Sequence, residues 1–270
     1  SNRTYTVKVV SDSGNKYRFD DFGTSAVTLD LAEGSTYIFD QSDSSNSGHP
    51  LRFSTTSNGT HGGGTEYTTG VTVTGTPGQA GAKTTIVVAA SAPTLYYYCS
   101  VHSGMGGQAN TNSTVGASNF DGSIQSTAKA SQISGVSIVS YTGSGTANDS
   151  IGHGLNAAPE LIICKNRDSA YGWRTLTTVI DGSLDRLFLQ QTDAAVDQAT
   201  ANVPTSSVFY VATNLDNNKS GDDIIAYCFT SVDQYSRIGV YQGNGSSDGP
   251  FVYTGFRVAW LMIKNTSTGG

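Results

Sequence analysis

The stretch that decides both the fold and the chemistry of this chain is Tyr96-Tyr97-Tyr98-Cys99-Ser100-Val101-His102-Ser103-Gly104-Met105-Gly106-Gly107. It places a thiol, an imidazole and a thioether at the spacing Cys-x2-His-x2-Met. The aromatic run that ends at Cys99 predicts a buried strand. The glycines that follow permit a tight loop, and this loop would return the imidazole and the thioether toward the thiol.

A second imidazole, His49, lies upstream in the segment Ser47-Gly48-His49-Pro50-Leu51. Two imidazoles, a thiolate and a weak axial thioether are the ligands of a blue-copper, or type 1, site. Soft sulfur ligands suit Cu(I), and imidazole suits copper in both oxidation states. The sequence therefore predicts that His49, Cys99, His102 and Met105 bind one copper ion. In the alternative interpretation, Cys99 is a small buried apolar residue and the histidines are polar loop residues.

Residues 4 to 108 resemble the cupredoxin family, which includes plastocyanin and amicyanin. The resemblance rests on the segment 33–39, which is followed by a polar loop and His49, and on the ligand loop 97–107, whose spacings match the short amicyanin type. It implies a Greek-key β-sandwich in which the four residues take the ligand roles. The chain departs from the family in three places: no proline precedes His102, Pro50 replaces the asparagine after the first ligand, and no clear apolar strand follows Met105.

Composition predicts an all-β chain of two domains. The chain has 270 residues, only 13% of them charged, and 32 glycines, which is typical of many short strands joined by turns. The net charge of −6 argues against nucleic-acid binding. No apolar run reaches the ~18 residues of a membrane span. Cys164 and Cys228 lie in apolar strands and are interpreted as core thiols, and a bridge between them stays open.

The predicted organisation has three parts: a cupredoxin-like sandwich over 1–107, a polar linker over 108–134, and a β-sandwich-like domain with an internal repeat over 135–270. In the repeat, residues 139–166 match residues 240–265 at an offset of about 100 residues. We expect both copies to adopt the same local backbone. Since the second copy stops at residue 270 where the first continues, we also expect the polypeptide to continue beyond residue 270.

Residues 135 to 270 also resemble a module of tail-fibre and other appendage proteins of marine bacteriophages. The matching text is the Tyr-x-Gly-x-Gly turn with the segments 154–163, 226–229 and 249–256. The resemblance implies a structural or adhesive segment of a virion appendage, located on the virion or outside the cell. Its partners would be a glycan or protein of the host surface and further copies of the chain, with a trimer favoured.

The segment proposed as a linker contributes to the assembly prediction. It is too polar to fold by itself, and Val115, Phe120 and Ile124 would anchor it against other copies or against the flanking domains. A rival function is a secreted type 1 copper protein for electron transfer or copper capture.

No nucleophile elbow, phosphate loop or zinc spacing is present in the sequence, so we expect a protein that is not an enzyme. His61 and His153 are interpreted as loop and turn histidines. Two acidic pairs, Asp181 with Asp185 and Asp222 with Asp223, have two interpretations. Each is either a cation or acid site or an ordinary acidic turn.

Overall fold

A computed structural model describes residues 2–198 and 200–267. Strands hold 36% of the chain and helices 4%, which confirms the predicted all-β, sandwich-like class. The chain folds as two compact units, residues 1–120 (unit 1) and 121–270 (unit 2). Among the described residues, no helix has the length and apolarity that a membrane crossing requires.

In the described residues, unit 1 has ten strands, and nine of them form two sheets. Its strands are β1 Asn2–Ser11, β2 Asn15–Phe19, β3 Leu29–Asp30, β4 Thr36–Asp40, β5 Leu51–Ser54, β6 Val71–Thr74, β7 Lys83–Val87, β8 Leu95–Cys99, β9 Gly107–Asn110 and β10 Ala117–Asn119, with short 3-10 helices at Ser44–Asn46 and Gly59–Gly62. One sheet has the order β2-β1-β4-β7-β6 and the other β3-β9-β8-β5. The pairs β1–β4 and β3–β9 are parallel, and the remaining described pairs are antiparallel.

Both sheets of unit 1 contribute to one apolar core. Alternating residues of β2, β4 and β7 are buried, as expected for strands with one face toward a core. Aromatic rings join the sheets: Phe39 lies 5.4 Å from Phe53, and Phe19 lies 5.1 Å from Tyr97, between ring centroids. Unit 1 is therefore a β-sandwich, and β8, the strand that carries Cys99, lies between β5 and β9.

The segment 108–134, predicted as a polar linker, contains strands in the structure. Strand β9 occupies its start and pairs with both β3 and β8. Only Ala109 of this strand is fully buried, which explains why no apolar pattern marked it. Phe120 packs in the core of unit 1, with its ring centroid 5.7 Å from that of Tyr5, and Ile124 packs against the core of unit 2.

Unit 2 contains a long antiparallel sheet and a two-stranded ribbon. Its elements are β11 Ser126–Ser131, β12 Val136–Thr142, β13 Asp149–Gly152, β14 Leu161–Asn166, β15 Arg174–Thr177, β16 Asp185–Phe188, β17 Val196–Asp197, β18 Val208–Val211, helix α1 Leu215–Asn218 and β19 Asp223–Phe229. The sheet runs β11-β12-β19-β14-β15-β16-β17, and β13 pairs with β18. One apolar core includes Ile162 of the sheet and Phe209 of the ribbon. Cys164 and Cys228 are buried in it as free thiols.

The predicted structural repeat is wrong in the described residues. Residues 139–166 form β12, β13 and β14, whereas residues 240–265 contain no strand. Strand β14 is hydrogen-bonded by β15 on one edge and by β19 on the other. The matching residues near Leu261 have no neighbouring strand, so Met262 is 40% exposed while its counterpart, Ile162 of β14, is 1% exposed. A strand needs partners for its backbone groups, and similarity of sequence does not supply them.

Candidate metal centre

Cys99 is the last residue of β8 and is fully buried. Its backbone pairs with Leu51 of β5, in a strand that is hydrogen-bonded on both sides. The position of the thiol is thus set by the sheet and not by a loop.

Two imidazoles converge on this thiol. The Cys99 Sγ lies 3.9 Å from His49 Nδ1 and 3.9 Å from His102 Nδ1. The two rings lie 4.6 Å apart between centroids. One ligand atom from each of the three residues lies within 4.8 Å of the others. The structure therefore brings together three of the four predicted ligands, although His49 is distant from the other two in sequence.

The spacing of these three atoms fits a metal ion. With metal–sulfur and metal–nitrogen bonds of about 2.3 and 2.0 Å, as found for zinc, a trigonal plane places sulfur and nitrogen about 3.7 Å apart. The observed 3.9 Å in each pair is close to this value. An imidazole that binds through Nδ1 carries its proton on Nε2. The donor set is soft sulfur with borderline nitrogen, which suits copper or zinc and disfavours calcium or magnesium.

Met105, the fourth predicted ligand, is 1% exposed and belongs to the same apolar core as Cys99. Its carbonyl accepts a hydrogen bond of 2.9 Å from the backbone N–H of Tyr17 in β2. The backbone of this residue is thus anchored to β2. Its predicted role as a weak axial ligand stays a prediction.

The loop between Cys99 and Met105 is held at several points. The Asn58 side chain donates to Ser103 Oγ at 2.8 Å and accepts from the Gly104 N–H at 2.8 Å. The Lys16 ammonium donates to the Gly104 carbonyl. A Cβ on Gly106 would lie 1.7 Å from the Tyr97 carbonyl oxygen, so only glycine fits where the loop returns to the sheet.

A buried amide that the sequence did not reveal holds the segment of the first ligand. Gln41, only 1% exposed, donates through Nε2 to the His49 carbonyl at 2.8 Å and accepts through Oε1 from the Leu51 N–H at 3.0 Å. The Tyr17 hydroxyl also donates to the His49 carbonyl, at 2.8 Å. These bonds bracket Pro50, which has no N–H of its own. Gln41 therefore holds the backbone on both sides of Pro50.

The two ligand segments are also linked directly. The Ser100 N–H donates to the Pro50 carbonyl at 3.1 Å. His61 is exposed, and its Nε2 lies 3.0 Å from the Cys99 carbonyl oxygen, so it supports the strand end and does not join the metal cluster. Burial, and then the neighbouring His102, lower the pKa of His49 below its usual value. The imidazole at this position therefore stays neutral, as a metal ligand must, to a lower pH than in a free histidine.

Comparison with known proteins places the C-terminal part of the chain in a family. Residues 108–270 match the model of a domain of unknown function, DUF7483. The chain belongs to this family. No curated protein and no solved structure matches the chain.

Two further sequence candidates lie in the DUF7483 domain, and the structure gives both a structural role. His153 is fully buried, accepts from the Leu155 N–H at Nδ1 (3.2 Å) and lies 3.2 Å from the Thr205 carbonyl at Nε2. Both ring nitrogens are thus used. The Asp222 carboxylate accepts from Ser169 at 2.7 Å and pairs with Lys219 at 3.1 Å. It fastens a turn.

Proposed function

We propose that unit 1 binds one copper ion through the Cys99 thiolate and Nδ1 of His49 and His102, with the Met105 thioether as the axial ligand. The observation that carries the proposal is the 3.9 Å approach of both imidazole nitrogens to the buried Cys99 sulfur. The resemblance of residues 4 to 108 to cupredoxins supports it. The β-sandwich of unit 1 agrees with that resemblance.

The arrangement assigns a separate task to each ligand. Cys99 is held by strand pairing, and its sulfur also accepts from the His102 N–H at 3.4 Å. His49 is held by the Gln41 network. His102 is exposed, which gives a metal ion a route from solvent to the buried sulfur. When bound, copper would supply one-electron redox chemistry, and the surrounding residues would set its potential.

Titration of the intact chain with Cu(II), followed by visible absorption, tests this proposal. We expect saturation at one copper per chain and an intense visible band, because a thiolate bound to Cu(II) produces charge-transfer absorption. Cys99→Ser should abolish that band, whereas Cys164→Ser, which removes a buried thiol of unit 2, should leave it unchanged. Equal colour in wild type and Cys99→Ser would refute the proposed site. Tight Zn(II) binding with no visible copper band would reassign it to zinc.

For the whole chain, we propose a structural or adhesive role in a virion appendage, in which copies of the chain assemble and bind a host-surface glycan or protein. This rests on the resemblance of residues 135 to 270 to phage appendage modules. An exposed apolar segment supports it: Phe251 is 90%, Tyr253 77% and Trp260 76% exposed. Several large apolar side chains exposed within one segment are typical of an interaction site.

Light scattering on the intact chain tests assembly. We expect a mass above the 28.2 kDa of one chain, with the trimer number taken from the resemblance alone. Substitution of Phe251 and Trp260 by serine should shift the distribution toward monomer, and serine at the exposed Ile133, outside the segment, should not. A monomer at high concentration would refute assembly. A reversible copper potential in such a monomer would favour the rival function, electron transfer or copper capture.

A further inference from the structure

Three carboxylates of unit 2 meet where strands β16 and β17 pair. Asp185 begins β16 and stands directly opposite Asp197 of β17 in the antiparallel register. Asp181 lies in the turn just before β16. One carboxylate oxygen from each of the three lies within 4.8 Å of the others. Like charges directly opposite on paired strands destabilise a sheet, so this arrangement requires a compensating group.

The described residues do not supply enough compensation. None of the ion pairs among them includes any of the three carboxylates. The Ser183 hydroxyl lies 2.7 Å from Asp181 Oδ1 and 2.9 Å from Asp197 Oδ1. The Ser183 N–H also donates to Asp181 Oδ1, at 2.9 Å. The hydroxyl has one proton, so it donates to only one of the two oxygens at a time.

Asp185 is the least compensated of the three. It is only 3% exposed, and its Oδ2 is buried without a hydrogen-bond partner. Burial, and then the charges of Asp181 and Asp197, raise the pKa of this carboxyl above its usual value. Asp222, later in the chain, differs from Asp185. Its carboxylate is hydrogen-bonded by serine and asparagine side chains and paired with a lysine. An ionised and unpaired buried carboxylate is costly, and a bound cation removes that cost.

We propose that Asp181, Asp185 and Asp197, with the Ser183 hydroxyl, form a calcium site in the DUF7483 domain. The ligands are all oxygen, which suits a hard divalent cation. Alternate residues of the segment Asp181-Gly182-Ser183-Leu184-Asp185 carry the oxygen ligands, and Gly182 adopts φ +97°, a conformation that favours glycine in the turn. Calcium is preferred over magnesium because it accepts irregular ligand geometry and does not need a regular octahedron.

The site is independent of the copper site. It lacks thiol and imidazole ligands, so a soft metal would favour unit 1 and calcium would favour this cluster. Asp197 comes from the strand that follows, so a bound ion would fasten the turn before β16 to β17, the last strand of the sheet. We therefore expect calcium to stabilise unit 2 and to leave unit 1 unchanged.

The test uses the full chain, stripped with a chelator and titrated with Ca²⁺. Both tryptophans, Trp173 and Trp260, lie in unit 2, so urea unfolding followed by tryptophan fluorescence reports on this unit alone. For a site of three carboxylates we expect weak binding, with Kd on the order of 10⁻⁴ to 10⁻³ M. Free Ca²⁺ at ten to a hundred times Kd should raise the folding equilibrium constant about ten- to hundredfold.

Isosteric variants assign the effect to the cluster. Asp185→Asn and Asp197→Asn should both abolish the calcium response. Asp185→Asn should also be as stable as wild type, or more stable, in chelator, because it removes the buried charge. Asp248→Asn, an exposed control with the same charge change, should keep the full response.

Two results would overturn the proposal. The first is that the stability of the wild type does not change with calcium at Ca²⁺ concentrations up to about ten times the weaker expected Kd. The second is a calcium response that survives in Asp197→Asn. Asp197 is exposed, so Asp197→Asn should fold. This variant therefore tests the calcium site even if Asp185→Asn does not fold. An equal response to Mg²⁺ would overturn the preference for calcium.

Discussion

Replacement of Gln41 by leucine isolates the contribution of the buried amide that supports the first ligand. Leucine has a similar volume, so the change removes hydrogen bonds and leaves no large cavity. The Leu51 N–H, which lies in a fully buried residue, loses its acceptor, and Asn46 Oδ1 loses a donor at 3.2 Å. The His49 carbonyl keeps the Tyr17 hydroxyl as a donor.

The magnitude follows from these losses. An unsatisfied buried N–H costs about 1–3 kcal/mol, and a lost neutral hydrogen bond about 1 kcal/mol more. We therefore expect Gln41→Leu to lower the free energy of unfolding of unit 1 by about 2–4 kcal/mol. Because the His49 backbone loses one of its anchors, copper affinity should also fall, by about tenfold or more, as for other residues that support metal ligands.

The assay separates the two units. Far-ultraviolet circular dichroism in urea detects the unfolding of both units, and tryptophan fluorescence detects only unit 2. Gln41→Leu should move the circular dichroism transition of unit 1 and leave the fluorescence transition in place. Gln79→Leu, at an exposed glutamine of the same unit, is the matched control. If the two variants have the same stability and the same copper affinity, the Gln41 network does not hold the His49 segment.

Three further predictions follow from the same geometry. Met105→Leu should keep the visible copper band and raise the reduction potential, because it removes a donor that stabilises Cu(II). If voltammetry finds the same potential in the variant and the wild type, Met105 is not an axial ligand. The pKa of His49 is lowered in the folded state, so the stability of metal-free unit 1 should be full above the unfolded pKa of about 6.5 and should fall at lower pH. Urea midpoints measured against pH should show this fall, and His49→Gln should make it smaller. Phe120→Ala should destabilise unit 1 by about 3–5 kcal/mol without moving the fluorescence transition of unit 2, whereas alanine at the exposed Ile133 should change neither transition.

The ligand cluster was predictable because most of it is local. A strand that ends at Cys99, followed by a glycine-containing loop, brings His102 back to the sulfur whatever the rest of the fold does. His49 was predicted from the composition of the ligand set, which calls for a second imidazole, because nothing in its own segment states which strand lies beside β8. Gln41 was not found, because a polar residue at a strand end looks like many others in this chain. The one available signal was Pro50, whose missing N–H leaves its neighbours in need of an outside partner.

The strand in the predicted linker and the structure of the second repeat copy were not predictable in this way, since both depend on non-local partners. Strand β9 has a polar sequence, and it becomes a strand because β3 and β8 offer hydrogen bonds on both sides. Residues 240–265 resemble β12 to β14 and yet form no strand, because no described strand pairs with them. Local composition underestimates order in the first case and overestimates it in the second.

The two acidic pairs of unit 2 differ in a way that the sequence does not reveal. In the chain alone, Asp181 with Asp185 and Asp222 with Asp223 are equivalent, since each is a pair of carboxylates near a turn. In the structure, Asp222 accepts from three side chains and needs no ion. Asp185 is buried opposite Asp197 and has an oxygen without a partner. The difference lies in what surrounds each carboxylate, and it is why calcium is expected to act at one pair and to have no effect at the other.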